Sequence, residues 1–219
     1  MKKSTKLSVI AALSVLIFVG TAHAISFSMR IVGDNDFAIF TGTSTGINHL
    51  LYQNNYVWMD QIPNLATLIF DMPVGDTEFY VLGMGGGWQE NISGLVNGVD
   101  IASNGVSVSM SSDVQSYLTG YNSTTVTNGT YNVNLADVQA AFSHLTWGSP
   151  VFNNTDIVIV QAAPNGVGFH FNDSTAHLFS FSTSDVGIQP TPEPGAMLLL
   201  GTGIIVLAGL RKKFYNRIV

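Results

Sequence analysis

"ISFSMRIVGDNDFAIF", residues 25–40, decides the fold. Ile25, Phe27, Met29 and Ile31 alternate with Ser26, Ser28 and Arg30. A period of two places one face of a strand in a core and the other outside it. Gly33-Asp34-Asn35 then supplies turn residues, and Phe37–Phe40 resumes an apolar run. The stretch reads as strand, turn, strand.

The same grammar continues outward. Further strands are predicted at Leu50–Trp58, Leu65–Asp71, Glu78–Gly83, Gly105–Met110, Ile157–Gln161, Val167–Phe171 and Leu178–Phe181. Pro73-Val74-Gly75-Asp76, Asn97-Gly98, Asn104-Gly105, Asn128-Gly129 and Asn165-Gly166 punctuate them. Many short strands with such turns favour a mainly β, jelly-roll-like sandwich over βαβ units. One or two short helices interrupt it. Asn134 is placed to cap "LADVQAAFSHL", where Leu135, Val138, Phe142 and Leu145 share a face, and Ser112–Leu118 forms a weaker helix. These helices are expected over an edge or an open end of the sandwich.

Charge separates the middle of the chain from its ends. Residues 25–190 hold 13 of the 14 acids and one cation, Arg30, a formal charge of −12 within a whole-chain value of −6. An acidic, Lys-free domain cannot neutralise phosphates along a duplex, so nucleic acid is excluded as a partner. There is no cysteine, which removes disulfides and thiolate chemistry. At 166 residues this segment is sized for one domain.

The ends read as addresses. "MKKSTKLSVIAALSVLIFVGTAHA", residues 1–24, has a basic start at Lys2, Lys3 and Lys6, an apolar helix from Leu7 to Gly20, and a small-x-small site at Ala22-His23-Ala24. That is a signal peptide cut by signal peptidase before Ile25; the competing reading is a retained membrane helix. At the other end, residues 191–219 begin with Pro192-Glu193-Pro194. The uncharged 16-residue run Gly195–Leu210 follows, with Leu198, Leu199, Leu200, Ile204, Ile205, Val206, Leu207 and Leu210 as its apolar body. As a helix it spans ~24 Å, short of the ~30 Å hydrocarbon core. Snorkelling of Arg211, Lys212 and Lys213 closes the gap. Their positive charge fixes that end in the cytoplasm. The precursor is therefore anchored in the inner membrane with residues 25–190 outside the cytoplasm.

Triplet, apolar helix and basic tail, together with the signal peptide, resemble the PEP-CTERM sorting signal; "LLLGTG" and "LAGL" inside the helix are similar to it as well. The resemblance implies a Gram-negative bacterium that makes extracellular polysaccharide. It also implies processing at or near Pro192-Glu193-Pro194 by an exosortase, a membrane-embedded cysteine transpeptidase. The product would go to the cell surface or a biofilm matrix. Glu193 is the only acid there, and its charge is what an enzyme would read. The plainer alternative is a single-pass anchor with a proline-rich stalk. "GDNDFAIFTG…GDTEFYVLGMGGG" is faintly similar to a sandwich carried by other proteins with this tail.

Chemistry is sparse in residues 25–190. His49, His144, His170 and His177 lack the i,i+4 or i,i+2 spacing of a zinc site, although "GFHFNDSTAHLFSF" reads as a hairpin that would bring His170 and His177 onto neighbouring strands. Gly83-Met84-Gly85-Gly86-Gly87-Trp88 has no Lys and no helix after it, so a flexible loop is expected rather than a phosphate cradle. Asp34-Asn35-Asp36 offers hard oxygens at alternate positions, which suits either calcium, shared by Asp34 and Asp36, or an ordinary acidic turn. Tyr52, Tyr56, Trp58, Trp88, Tyr117, Tyr121, Tyr131 and Trp147 lie among amide and hydroxyl side chains, a composition that fits sugar stacking as well as a core. The Asn-x-Ser/Thr triplets at Asn91, Asn122, Asn128, Asn153 and Asn172 are expected as surface polar sequence. Three function classes follow: a non-enzymatic surface or matrix protein associated with exopolysaccharide, a carbohydrate-binding module, or a secreted hydrolase with a carboxylate site.

Overall fold

The computed structural model describes residues 25–87, 90–153, 167–172 and 174–189. The chain first lays down β1 (Ser26–Gly33), whose Phe27, Met29 and Ile31 are buried as the alternation predicts. It turns through Asp34–Asp36 into β2 (Phe37–Thr43), and this turn carries the chain from one sheet to the other. β3 (Gly46–Asn54), β4 (Leu68–Asp71), β5 (Glu78–Met84), β6 (Glu90–Val96), β7 (Val99–Asp100), β8 (Val108–Ser111), β9 (Val151–Asn153), β10 (Gly168–Phe171) and β11 (Ala176–Ser182) follow.

Two antiparallel sheets result. One runs β4-β1-β6-β10-β9 with β7 on β6; the other runs β3-β2-β5-β11-β8. Their inner faces share one apolar core. Aromatic rings lock it from both sides: Phe27 meets Phe79 edge-on at 5.0 Å, and Phe169 stacks on Phe179 at 5.0 Å. Such pairs add about 0.5–1.5 kcal/mol each beyond area burial.

The second sheet is buried on both faces. Its outer face, with Phe40, Tyr80, Leu82 and Leu178, lies under a third layer of helices. That layer comprises a 3-10 turn (Asp113–Tyr117), α2 (Ser123–Thr127) and α3 (Leu135–Phe142). α1 (Trp58–Gln61) is a single turn elsewhere. Asn134 caps α3 by accepting from the Ala136 N–H at 3.0 Å, as expected. The helices cover a sheet face rather than an edge or an end. The reason is visible in "FAIF" and "FYVL", continuous apolar runs that leave no polar side to face water.

Other expectations shift. The run Leu50–Trp58 is strand only to Asn54, and Trp58 starts α1. β4 begins at Leu68 rather than Leu65, and β8 at Val108 rather than Gly105. β6, central in its sheet, was not predicted, because "ENISGLV" carries a Glu, an Asn and a Gly at buried positions. "GFHFNDSTAHLFSF" is no hairpin: β10 and β11 belong to different sheets, so His170 and His177 do not pair across a ladder. Asn91 is buried in β6, not on the surface. Ile157–Gln161, Trp88 and the whole of 1–24 and 191–219 lie outside the described residues. Among the described residues no helix is long and apolar enough to cross a membrane.

Candidate functional site

The corner between the sheets carries a buried polar network, and an exposed aromatic segment hangs from it. β3 ends at Asn54, whose Oδ1 accepts the Tyr56 N–H at 2.8 Å. The chain then extends through Val57 and winds into α1. Gln61, at the end of that turn, is buried and points inward. Its Nε2 donates to the Tyr56 carbonyl at 2.6 Å, the Asn35 carbonyl at 2.8 Å and Asn54 Oδ1 at 3.1 Å; its Oε1 accepts from Asn54 Nδ2 at 3.1 Å. One amide thus ties both ends of the segment to the corner. The consequence faces outward: Tyr56 is 41% exposed, Trp58 52% and Met59 66%.

Amides flank these rings. Gln53 Nε2 donates to Asn55 Oδ1 at 2.6 Å and to the Tyr131 carbonyl at 2.7 Å. Asn55 Nδ2 reaches Asn132 Oδ1 at 3.3 Å. Gly129 makes this approach feasible: its φ is +63°, and a Cβ there would lie 2.3 Å from the Asn55 carbonyl oxygen. Of the aromatics that the sequence offers for stacking, Tyr56 and Trp58 lie on this one exposed segment. Tyr52 and Tyr131 instead pack into the two cores, and Tyr121 and Trp147 are half-buried against the helical layer.

The acidic turn divides. Asp36 is 1% exposed, its carbonyl accepts from the Met84 N–H, and among the described residues neither carboxylate oxygen has a hydrogen-bond partner. Burial pushes its carboxyl up to about 8, which favours the protonated form at neutral pH. Asp34 is half-buried, with its N–H on the Asn91 carbonyl at 2.9 Å. Glu90, which sequence reasoning did not single out, is buried beside them. It accepts from Asn35 Nδ2 at 3.0 and 3.2 Å and from the Gly87 N–H at 2.8 Å. Among the described residues no three His, Asp or Glu gather as a metal would require.

Gly83, Gly85 and Gly86 of the glycine run are packed, whereas Gly87, at φ +135°, has open space where a Cβ would go. A Cβ on Gly83 would sit 2.7 Å from Ile92 and Phe171, and one on Gly86 would sit 2.6 Å from Thr127 Oγ1. Close approach of neighbouring atoms explains Gly83 and Gly86, and the positive φ explains Gly87. His177 is buried, with Nδ1 3.3 Å from Met110 Sδ; burial, then the nearby His170, lowers its pKa to about 4. His170 Nδ1 lies 3.1 Å from the Glu90 carbonyl. An open hollow by the 3-10 turn is lined by Ser112, Asp113, Gln115, Ser116, Tyr117 and His144, the last two stacked at 5.4 Å. Its single carboxylate, Asp113, already accepts the Thr146 N–H.

The processing residues Ala22, Ala24, Pro192, Glu193 and Pro194, the anchor and the basic stop lie outside the described residues. They are where comparison speaks. No curated protein matches the chain, and no solved structure matches it. Residues 190–213 match the PEP-CTERM protein-sorting motif, so the chain carries that sorting motif, which implies an exported protein with a membrane-anchored precursor processed by an exosortase.

Proposed function

We propose that the exported domain is a non-catalytic cell-surface or matrix protein that associates with exopolysaccharide through Tyr56 and Trp58. A jelly-roll-like sandwich is the scaffold. The observation that carries this reading is the clamped, outward-facing Tyr56–Met59 segment. A sugar ring has an apolar face and a hydroxyl edge. An indole or phenol face takes the first, and Asn55 and Asn132 beside it take the second. Clamping by Gln61 reduces the ordering cost of binding. Asp36 and Glu90, the acids with the most unusual surroundings, are sealed inside and reach no polymer.

The test is a glycan array and a pull-down of the mature protein with the host's own exopolysaccharide. Trp58→Ala should weaken retention at least tenfold, about 1.4 kcal/mol, while Trp58→Phe keeps most of it. Glycan binding indifferent to both would refute the platform. Turnover of a glycan by the protein would replace it with the hydrolase reading.

A further inference from the structure

Three Asn-Gly pairs fall among the described residues, and their surroundings differ sharply. An Asn-Gly pair can cyclise when the glycine nitrogen reaches the asparagine Cγ. That needs a free N–H, a mobile side-chain carbonyl and an unhindered glycine. Asn97 fails the second condition. It sits in the two-residue β6–β7 turn at φ +49°. Its Oδ1 accepts the Ser28 N–H and its own N–H donates to the Ser28 carbonyl, both at 2.9 Å. Asn128 fails the first and third. The Gly129 N–H donates to the Val126 carbonyl at 2.8 Å, and Gly129 is wedged against the Asn55 carbonyl.

Asn104-Gly105 meets all three. Both residues are exposed, in the turn closed by the Val106 N–H on the Ser103 carbonyl at 3.1 Å. Among the described residues, neither the Asn104 amide nor the Gly105 N–H makes a hydrogen bond. Among the described residues the nearest atom to a Cβ on Gly105 would be Ser103 Oγ at 4.0 Å, so the glycine is unhindered. Only the one turn bond need open, at a cost of about 1 kcal/mol.

We infer that Asn104 is a spontaneous modification site that converts to aspartate and isoaspartate in the exported protein. The Gly105 nitrogen gives its proton to solvent base and bonds to Asn104 Cγ. The Cγ–Nδ2 bond breaks and ammonia leaves, carrying a proton. Water then opens the imide at either carbonyl, giving aspartate or, with one extra backbone methylene, isoaspartate. No electron changes hands, and solvent water is the only co-reactant. Each event adds one negative charge to a domain whose formal charge is already −12.

The mature protein is incubated in mildly alkaline buffer for weeks and mapped by chymotryptic peptides, since Arg30 is the only tryptic site between residues 25 and 190. Fragment-ion sequencing of these peptides should place a gain of one mass unit on Asn104, split into aspartate and isoaspartate forms, at a rate at least ~10-fold above that at Asn97 and Asn128, the factor given by ~1.4 kcal/mol. Gly105→Ala, which the open space admits, should slow it several-fold, and Asn104→Gln should abolish it, with an unchanged Tm in both. An intact Asn104 amide, or conversion at Asn97 or Asn128 at an equal rate, would overturn the assignment.

Discussion

Asp36 pays for its position with pH sensitivity. Its carboxyl stands at about 8 in the fold against an ordinary 3.8, because burial disfavours the ion. The folded state thus binds the proton more tightly than the unfolded chain. Stability from this group is full below pH 3.8 and falls as pH rises to about 8. His177 has the opposite sign. At about 4 against 6.5, its contribution is full above pH 6.5 and is lost as pH falls toward 4. Asp36→Asn should therefore raise the Tm at neutral pH, by the equivalent of about 1–2 kcal/mol, and flatten the decline on the alkaline side. Thermal melts across pH, with and without chelator, check this. A chelator-sensitive Tm that disappears in Asp36→Asn would instead make the turn a calcium site, the other reading of Asp34 and Asp36. His177→Leu should remove the acid-side loss.

At the scale of elements, the helical layer and the aromatic segment depend on few side chains. Gln61 makes four hydrogen bonds from a buried position. Gln61→Ala should cost about 2–4 kcal/mol, since it leaves Asn35, Asn54 and Tyr56 groups unpaired and opens a cavity. It should also weaken glycan retention as Trp58→Ala does, though Trp58→Ala itself should move stability by less than about 0.5 kcal/mol. Denaturant titration alongside the pull-down separates clamp from contact. Asn134→Ala should cost about 1 kcal/mol by uncapping α3.

For the whole molecule, charge governs which polymer can approach. A domain with a formal charge of −12 repels acidic chains at low salt, while a neutral glycan feels no such field. Affinity for an anionic polysaccharide should require added calcium as a bridge, and stacking on neutral sugars should not. Binding to an anionic polymer undiminished in excess chelator would exclude bridging. Sorting belongs to this scale as well. Changing Pro192, Glu193 and Pro194 together to alanine should leave an unprocessed membrane form, detectable by fractionation. Sequencing of the parent's mature form should begin at Ile25.

The sequence by itself determined the address and the class. The sorting motif is linear, so residues 190–213 are recognisable from their order alone. The alternation in β1, and the Asn134 cap, are likewise local and came through intact. Tertiary structure decided what depends on partners distant in the chain. Gln61 meets Asn35 across 26 residues, and Glu90 meets Asn35 across 55. Such contacts leave no periodic trace. The burial of Asp36, the separation of His170 from His177 into different sheets, and the exposure of Trp58 while Tyr131 is buried all follow from which surfaces the two sheets and the helical layer cover. Side-chain type states what a residue can do; only the packing around it states whether it faces water.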